Sequence, residues 1–254
     1  DYQLFFEVDA QHRGLAKIST KGGDISYAFS PDQSDKLFEI GKSQVGTDQV
    51  NLSHSSDTFF RFLSEGIWHI WIGFDHMLFL ISLLLPAVLL RYRKNWIGIK
   101  NFSSALSEVI KVVTAFTVAH SLTLSLVMFE QISLPVMFVE SIIAFSVIVV
   151  ALNNLYPLLS QKRWLLGLFF GLIHGFGFAN VLSELELGSN ALFMTMLGFN
   201  IGVEIGQLAI VLVFMPVAYL LRNGWFYQNV FFKFGSVSIA GMGCIWFVQR
   251  TLVS

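Results

Sequence analysis

Gly66-Ile67-Trp68-His69-Ile70-Trp71-Ile72-Gly73-Phe74-Asp75-His76-Met77-Leu78-Phe79-Leu80 is the stretch that decides the fold, and it runs on apolar to Leu90. A helix of about 20 such residues spans a bilayer, at ~1.5 Å per residue across ~30 Å of hydrocarbon. Yet this span holds two histidines and a carboxylate. An ionisable group at that depth costs about 2.5–3.5 kcal/mol unless it is paired, metal-bound or facing water. On a continuous helix His69 and His76, seven residues apart, share one face, with Asp75 to its side. Nitrogen and oxygen donors gathered this way suit a divalent transition metal.

The rest of the chain fits a membrane setting. Mean hydropathy is +0.65, and 54% of the 254 residues are hydrophobic. That excludes an ordinary soluble domain and predicts a mainly α, polytopic membrane helix bundle. The single Cys244 lies in an apolar segment, so neither a disulfide framework nor a cysteine-rich metal site is expected. Nothing in the charge pattern points to nucleic acid.

Two regions are predicted. Residues 1–60 form a small β-rich extracytoplasmic segment, with short strand-like runs at 2–8, 15–19, 25–29 and 36–40 separated by Gly, Asp, Pro and Ser. Its core is small, so it rests on the membrane domain or on a protein partner. Residues 47–60 read as a polar linker. Residues 61–254 form the transmembrane domain, with about six spans at 66–90, 108–130, 134–158, 163–183, 190–221 and 230–252. Lys and Arg collect in alternate loops: Arg91, Arg93, Lys94 and Lys100; Lys162 and Arg163; Arg222 and Lys233. The other loops carry Glu130, or Glu184 and Glu186. The positive-inside rule therefore puts the basic loops in the cytoplasm and the N-terminus outside. Arg61 and Arg250 are exceptions near outer ends. The expected location is the bacterial inner membrane, with a signal peptide removed before Asp1.

Polar groups recur inside later spans. The second carries Thr114, Thr117, His120 and Ser121 on one face. The third carries Glu140, Ser146, Asn153 and Asn154, the fourth His174, and the fifth Asn200, Glu204 and Gln207. The sixth has no charge between Lys233 and Arg250 and reads as packing. Counted from the outer boundaries, His76, His120, His174 and Asn200 each lie about ten residues in, ~15 Å deep. They define one polar layer. Stripes Gly167-Gly171-Gly175 and Gly198-Gly202-Gly206 would let the fourth and fifth spans pack closely, bringing His174 near Asn200 and Glu204.

Roles follow from residue type. His76, His120 and His174 form a shared site, against the plainer reading of a hydrogen-bonded network; His69 is a ligand or a packing residue. Asp75 is a ligand, or the carboxylate that orients an imidazole. Glu204 is a ligand, a proton-coupling group or a structural hydrogen bond. Glu140 gates the outer side. Ser121, Asn153, Asn200 and Gln207 line a path or surround the site, Asn153, Asn200 and Gln207 reading otherwise as helix-to-helix hydrogen-bonding residues, and the many Phe residues are bulk.

These motifs carry a resemblance. Gly66-x-x-His69-x-x-x-Gly73-x-Asp75-His76-x-Leu78-Phe79-Leu80, Ala119-His120-Ser121, His174-Gly175-Phe176-Gly177-Phe178-Ala179 and Phe199-Asn200-x-Gly202-Val203-Glu204-x-x-Gln207 resemble the HupE/UreJ family, in its branch with an extracytoplasmic N-terminal segment. The resemblance covers about residues 60–254. It implies a nickel or cobalt permease, with metal-transport roles for His69, Asp75, His76, His120, His174 and Glu204. The well-known nickel/cobalt transporters place four residues between the first His and the Asp-His pair, and this chain places five. On a straight helix the extra residue turns His69 by ~100°.

Three readings share these residues. The first is a permease for a divalent transition metal (Ni, Co or Zn), the ion entering past Glu140 and His69 and leaving past Asn153. The second is a zinc-dependent membrane-embedded hydrolase with Glu204 or Glu140 as general base. The third is a structural or accessory subunit. No P-loop is present, so ATP hydrolysis is not expected.

Overall fold

A computed structural model describes residues 14–20, 23–29, 55–92, 95–129, 131–132, 134–157, 162–183 and 189–252. At the N-terminus β1 (Gly14–Thr20) and β2 (Gly23–Phe29) pair antiparallel, Gly14 opposite Phe29. The strand-like runs at 15–19 and 25–29 fall on them; those at 2–8 and 36–40 lie outside the described residues. Next come α1 (Ser55–Ile72) and α2 (Phe74–Leu84), then a hairpin of β3 (Leu89–Tyr92) and β4 (Asn95–Gly98). They are followed by α3 (Phe102–Met128), α4 (Val136–Leu155), α5 (Arg163–Ser183) and α6 (Ser189–Leu221). A π-helical segment, Tyr227–Phe234, runs into α7 (Gly235–Leu252).

Helices α3, α4, α6 and the Tyr227–Leu252 unit are each long and apolar enough to cross a membrane. The α1–α2 pair passes the same test only together, as one broken span or a re-entrant loop, and Arg163–Ala179 is a shorter apolar helix. The chain is a mainly α membrane bundle.

The first span is not continuous as read from the sequence. α1 and α2 are bent by 69° at a break, and the residue there is Gly73, with φ −67° and ψ 88°. Such a ψ leaves the helical region. The break is one residue long: Gly73 N–H still donates to His69 O (3.0 Å), and Met77 N–H to Gly73 O (2.9 Å). Asp75 Oδ1 accepts the His76 N–H at 2.8 Å, and a carboxylate suits the positive end of a new helix. The helix also starts earlier than expected. It is formed from Ser55, within the stretch read as polar linker.

At the other end the span stops at Leu84, before Pro86, which cannot continue a helix. Residues 89–98, part of them assigned to the span, form the hairpin instead, with Arg91 paired to Trp96. Arg93 and Lys94 lie outside the described residues. The hairpin's exit is held by the bundle: Arg222 Nε donates to Ile99 O (2.8 Å) and the Tyr219 hydroxyl to Lys100 O (2.7 Å).

Glycines decide which helices pair, and they correct another expectation. A Cβ on Gly167, Gly171 or Gly175 would fall 2.5–2.6 Å from the carbonyl oxygens of Val112, Phe116 and His120 respectively. That stripe therefore packs α5 on α3. Gly66, Gly198 and Gly202 likewise bring α1 and α6 into backbone contact, through Phe59, Leu63 and Phe199. Both stripes permit close approach, but each serves a different partner, and among the described residues α5 and α6 are not closely packed on one another. Gly243 of α7 sits against Ile148 of α4 (2.8 Å from a Cβ to Cγ1). Three tight units result: α1 with α6, α3 with α5, and α4 with α7, with α2 packed on the last.

Buried apolar residues form two clusters. The larger includes Phe79, Leu84, Val113, Phe116, Val147 and Phe170, towards the hairpin. The smaller includes Phe62, Ile70, Leu124, Phe199 and Val203.

Candidate metal centre

Between the two clusters lies the histidine layer. One ring nitrogen each from His69 (α1), His76 (α2) and His120 (α3) lies within 4.8 Å of the other two. The His69 and His76 ring centroids are 4.5 Å apart, and His120 stands 6.4 Å from both. His69 arrives there because the bend at Gly73 re-aims it. A straight-helix comparison of spacings does not apply to this chain.

Hydrogen bonds fix how each imidazole faces. An ionised carboxylate only accepts, so the 3.0 Å contact between His76 Nδ1 and Asp75 Oδ1 puts the proton on Nδ1. The Asn200 amide donates to Met196 O (2.8 Å), leaving Oδ1 as acceptor towards His120 Nδ1 at 3.4 Å. The Ser146 hydroxyl donates to Ile143 O (2.6 Å), so it accepts from His174 Nε2 at 3.0 Å. Each ring therefore turns a bare nitrogen away from its partner. His69 Nε2, His76 Nε2, His120 Nε2 and His174 Nδ1 are buried with no hydrogen-bond partner among the described residues. A buried unsatisfied polar atom costs about 1–3 kcal/mol. Several in one place make a site that a ligand would relieve.

A tetrahedral ion with nitrogens at about 2.0–2.1 Å sets them ~3.3 Å apart. The three rings are thus ~1.5 Å or less from ligating distance. Three imidazoles suit nickel, cobalt, copper or zinc better than a hard cation.

The other sequence-derived residues take distinct places. Asp75 touches the site through His76 and not directly, and its Oδ2 lies 3.5 Å from Arg250 Nη2 of α7. His174 is fully buried beside His76, ring centroids 4.7 Å apart, but stands outside the converging three. Glu204 is a turn past Asn200, accepting from Thr114 Oγ1 (2.9 Å) on Oε1, while Oε2 is buried and unpartnered. Gln207 Oε1 accepts from Thr117 Oγ1 at 3.0 Å. Ser121 bonds back to Thr117 O (2.7 Å) within its own helix. Glu140 offers its main-chain carbonyl to Arg250 Nη1 (3.3 Å). Asn153 is half-buried. Its neighbour Asn154 ties three helices, donating to Ser82 O (2.8 Å), Ser82 Oγ (3.3 Å) and Ser236 Oγ (3.2 Å). That bond set marks a structural knot where a path was expected.

Two kinds of residue escaped the sequence reading. Phenylalanines close the layer: Phe178 and Phe199 stack at 4.0 Å against His69, and Phe116 lies 5.3–6.2 Å from His76, His120 and His174. Phe116 and Phe178 lie one turn from His120 and His174, which was the available signal; Phe199 had none beyond its neighbour Asn200. Arg250 was the other, and its exception to the charge rule was its clue.

A buried histidine cluster inside a glycine-packed bundle of apolar helices places the chain among helical membrane proteins. A family model described as HupE / UreJ protein matches residues 46–250. The chain belongs to the HupE/UreJ family. No curated protein and no solved structure matches it.

Proposed function

We propose that this protein is a membrane permease for a divalent transition-metal ion, nickel or cobalt first, with His69, His76 and His120 as the binding set. The observation that carries the reading is the convergence of three imidazoles with unpartnered nitrogens between two aromatic layers. Membership of a family associated with nickel and cobalt transport supports it. The ion is the cargo. It exchanges waters for imidazoles at the layer, the Phe178–Phe199 stack shields it on one side, and Phe79 and Phe116 shield it on the other.

The onward route runs along the α3–α6 seam. Asn200, the Thr117–Gln207 pair and the Thr114–Glu204 pair lead away from His120, and Glu204 presents an unpartnered oxygen. His174 is a relay ligand beside His76. The N-terminal segment faces the extracytoplasmic side of the inner membrane, as the basic loops imply, and is free there to meet a protein partner.

A second reading has one specific observation in its favour. Three protein ligands leave a fourth tetrahedral position open, as in catalytic zinc sites. One assay separates the two. Purified protein in liposomes carrying an internal metal-sensitive dye should take up Ni²⁺ or Co²⁺, and His76→Ala and His120→Ala should abolish uptake. Metal bound stoichiometrically by the wild type, without any uptake, would end the permease reading and leave the hydrolase and the structural subunit.

A further inference from the structure

Helix α7 supplies none of the three converging imidazoles, yet its last turn reaches the site. Arg250 is held at three points, two on its side chain and one on its main chain. Nη1 donates to Glu140 O (3.3 Å), the Trp246 ring lies 5.9 Å from the guanidinium carbon, and the Ser141 hydroxyl contacts the Arg250 carbonyl (3.5 Å). From there Nη2 meets Asp75 Oδ2 at 3.5 Å. The other carboxylate oxygen is doubly engaged, by the His76 backbone N–H (2.8 Å) and by His76 Nδ1 (3.0 Å). The two oxygens of Asp75 are thus divided, one facing Arg250 and one facing His76.

A carboxylate beside a cation site has two possible roles: to ligate, or to orient a ligand. An acidic oxygen with nothing to hold it would turn to an arriving divalent ion. We propose that Arg250 is a positioning residue: it occupies Asp75 Oδ2, keeping Asp75 on His76 so that His76 Nε2 is presented to the shared space. This rests on the three-histidine site proposed above. Arg250 thereby sets the donor set as three nitrogens and keeps the carboxylate out of it.

Cobalt(II) titration of the purified full-length chain in detergent tests this, because the ion's visible absorption reports its donors. Arg250→Gln should weaken cobalt binding about 10–100-fold, as for outer-shell partners generally, and should change the spectrum of the loaded protein as an oxygen donor joins. Arg250→Lys, which keeps the charge, should restore much of the affinity and the wild-type spectrum. Adding Arg250→Gln to Asp75→Asn should cost no more than Asp75→Asn alone. A wild-type spectrum and affinity in Arg250→Gln would overturn the assignment, as would full additivity in the double variant. If Arg250→Gln fails to fold, Arg250→Lys against Asp75→Asn decides by the same spectra. Wild-type protein that binds no cobalt would overturn the three-histidine site itself, a failure distinct from the others.

Discussion

Gly175→Ala is the sharpest probe of how the fold serves the site. Gly175 follows His174 on α5, and its missing Cβ faces α3 at His120. A methyl group there would lie 2.6 Å from His120 O, 2.9 Å from Thr123 Cβ and 3.3 Å from His120 C. Ordinary C···O approaches are about 3.3 Å or more, and carbon–carbon contacts about 3.5–4.0 Å. The helices must therefore part by about 0.7 Å at this height, and the clash is with backbone, which has no rotamer to escape into. Overpacking of this kind costs about 1–3 kcal/mol. More telling is its place, since it displaces His120 from its present position relative to His69 and His76, whose nitrogens are already at up to 4.8 Å. Cobalt affinity should fall about 10–100-fold, the range seen when a ligand loses its positioning. Gly241→Ala is the control, because a Cβ there meets nothing within 4 Å, and it should leave binding unchanged. Cobalt titration and thermal unfolding in detergent read both variants. Wild-type affinity and stability in Gly175→Ala would refute the claim that α3–α5 contact sets the position of His120.

Two further outcomes are expected. Glu204→Gln keeps an oxygen for the Thr114 hydroxyl but loses the charge of the seam, so liposome uptake should slow at least tenfold while cobalt affinity at the histidines stays near wild type; equal losses of both would place Glu204 in the binding set. Asn154→Leu removes the knot among α2, α4 and α7 and should destabilise by about 1–2 kcal/mol, measured by thermal unfolding, with the cobalt spectrum unchanged.

The approach of His76 to His120 was legible because position along a helix follows from residue count. His76, His120 and Asn200 could be set on one level from sequence alone, since each helix advances a fixed distance per residue. Helix partners were not legible in this way. Gly171 and Gly202 announce close approach without saying to what, and only tertiary packing sends one to Phe116 and the other to Leu63. The break at Gly73 had a local clue, because Asp75 two residues later is an acidic first-turn residue that marks a helix start. An uninterrupted apolar pattern hid it. Arg250 was set aside as an anomaly of charge distribution, because a partner from the opposite end of the chain, Asp75, leaves no trace in local sequence.

The pairing of helices through glycine has a mechanical corollary. His69 rides with α6, His120 with α5, and His76 with α4 and α7, so the trio draws on three helix blocks, which the α3–α6 and α4–α5 contacts join. No block can tilt without pulling one corner from the triangle. On the permease reading proposed above, grip and passage are a single mechanical variable: whatever parts the blocks to let an ion through also loosens what holds it.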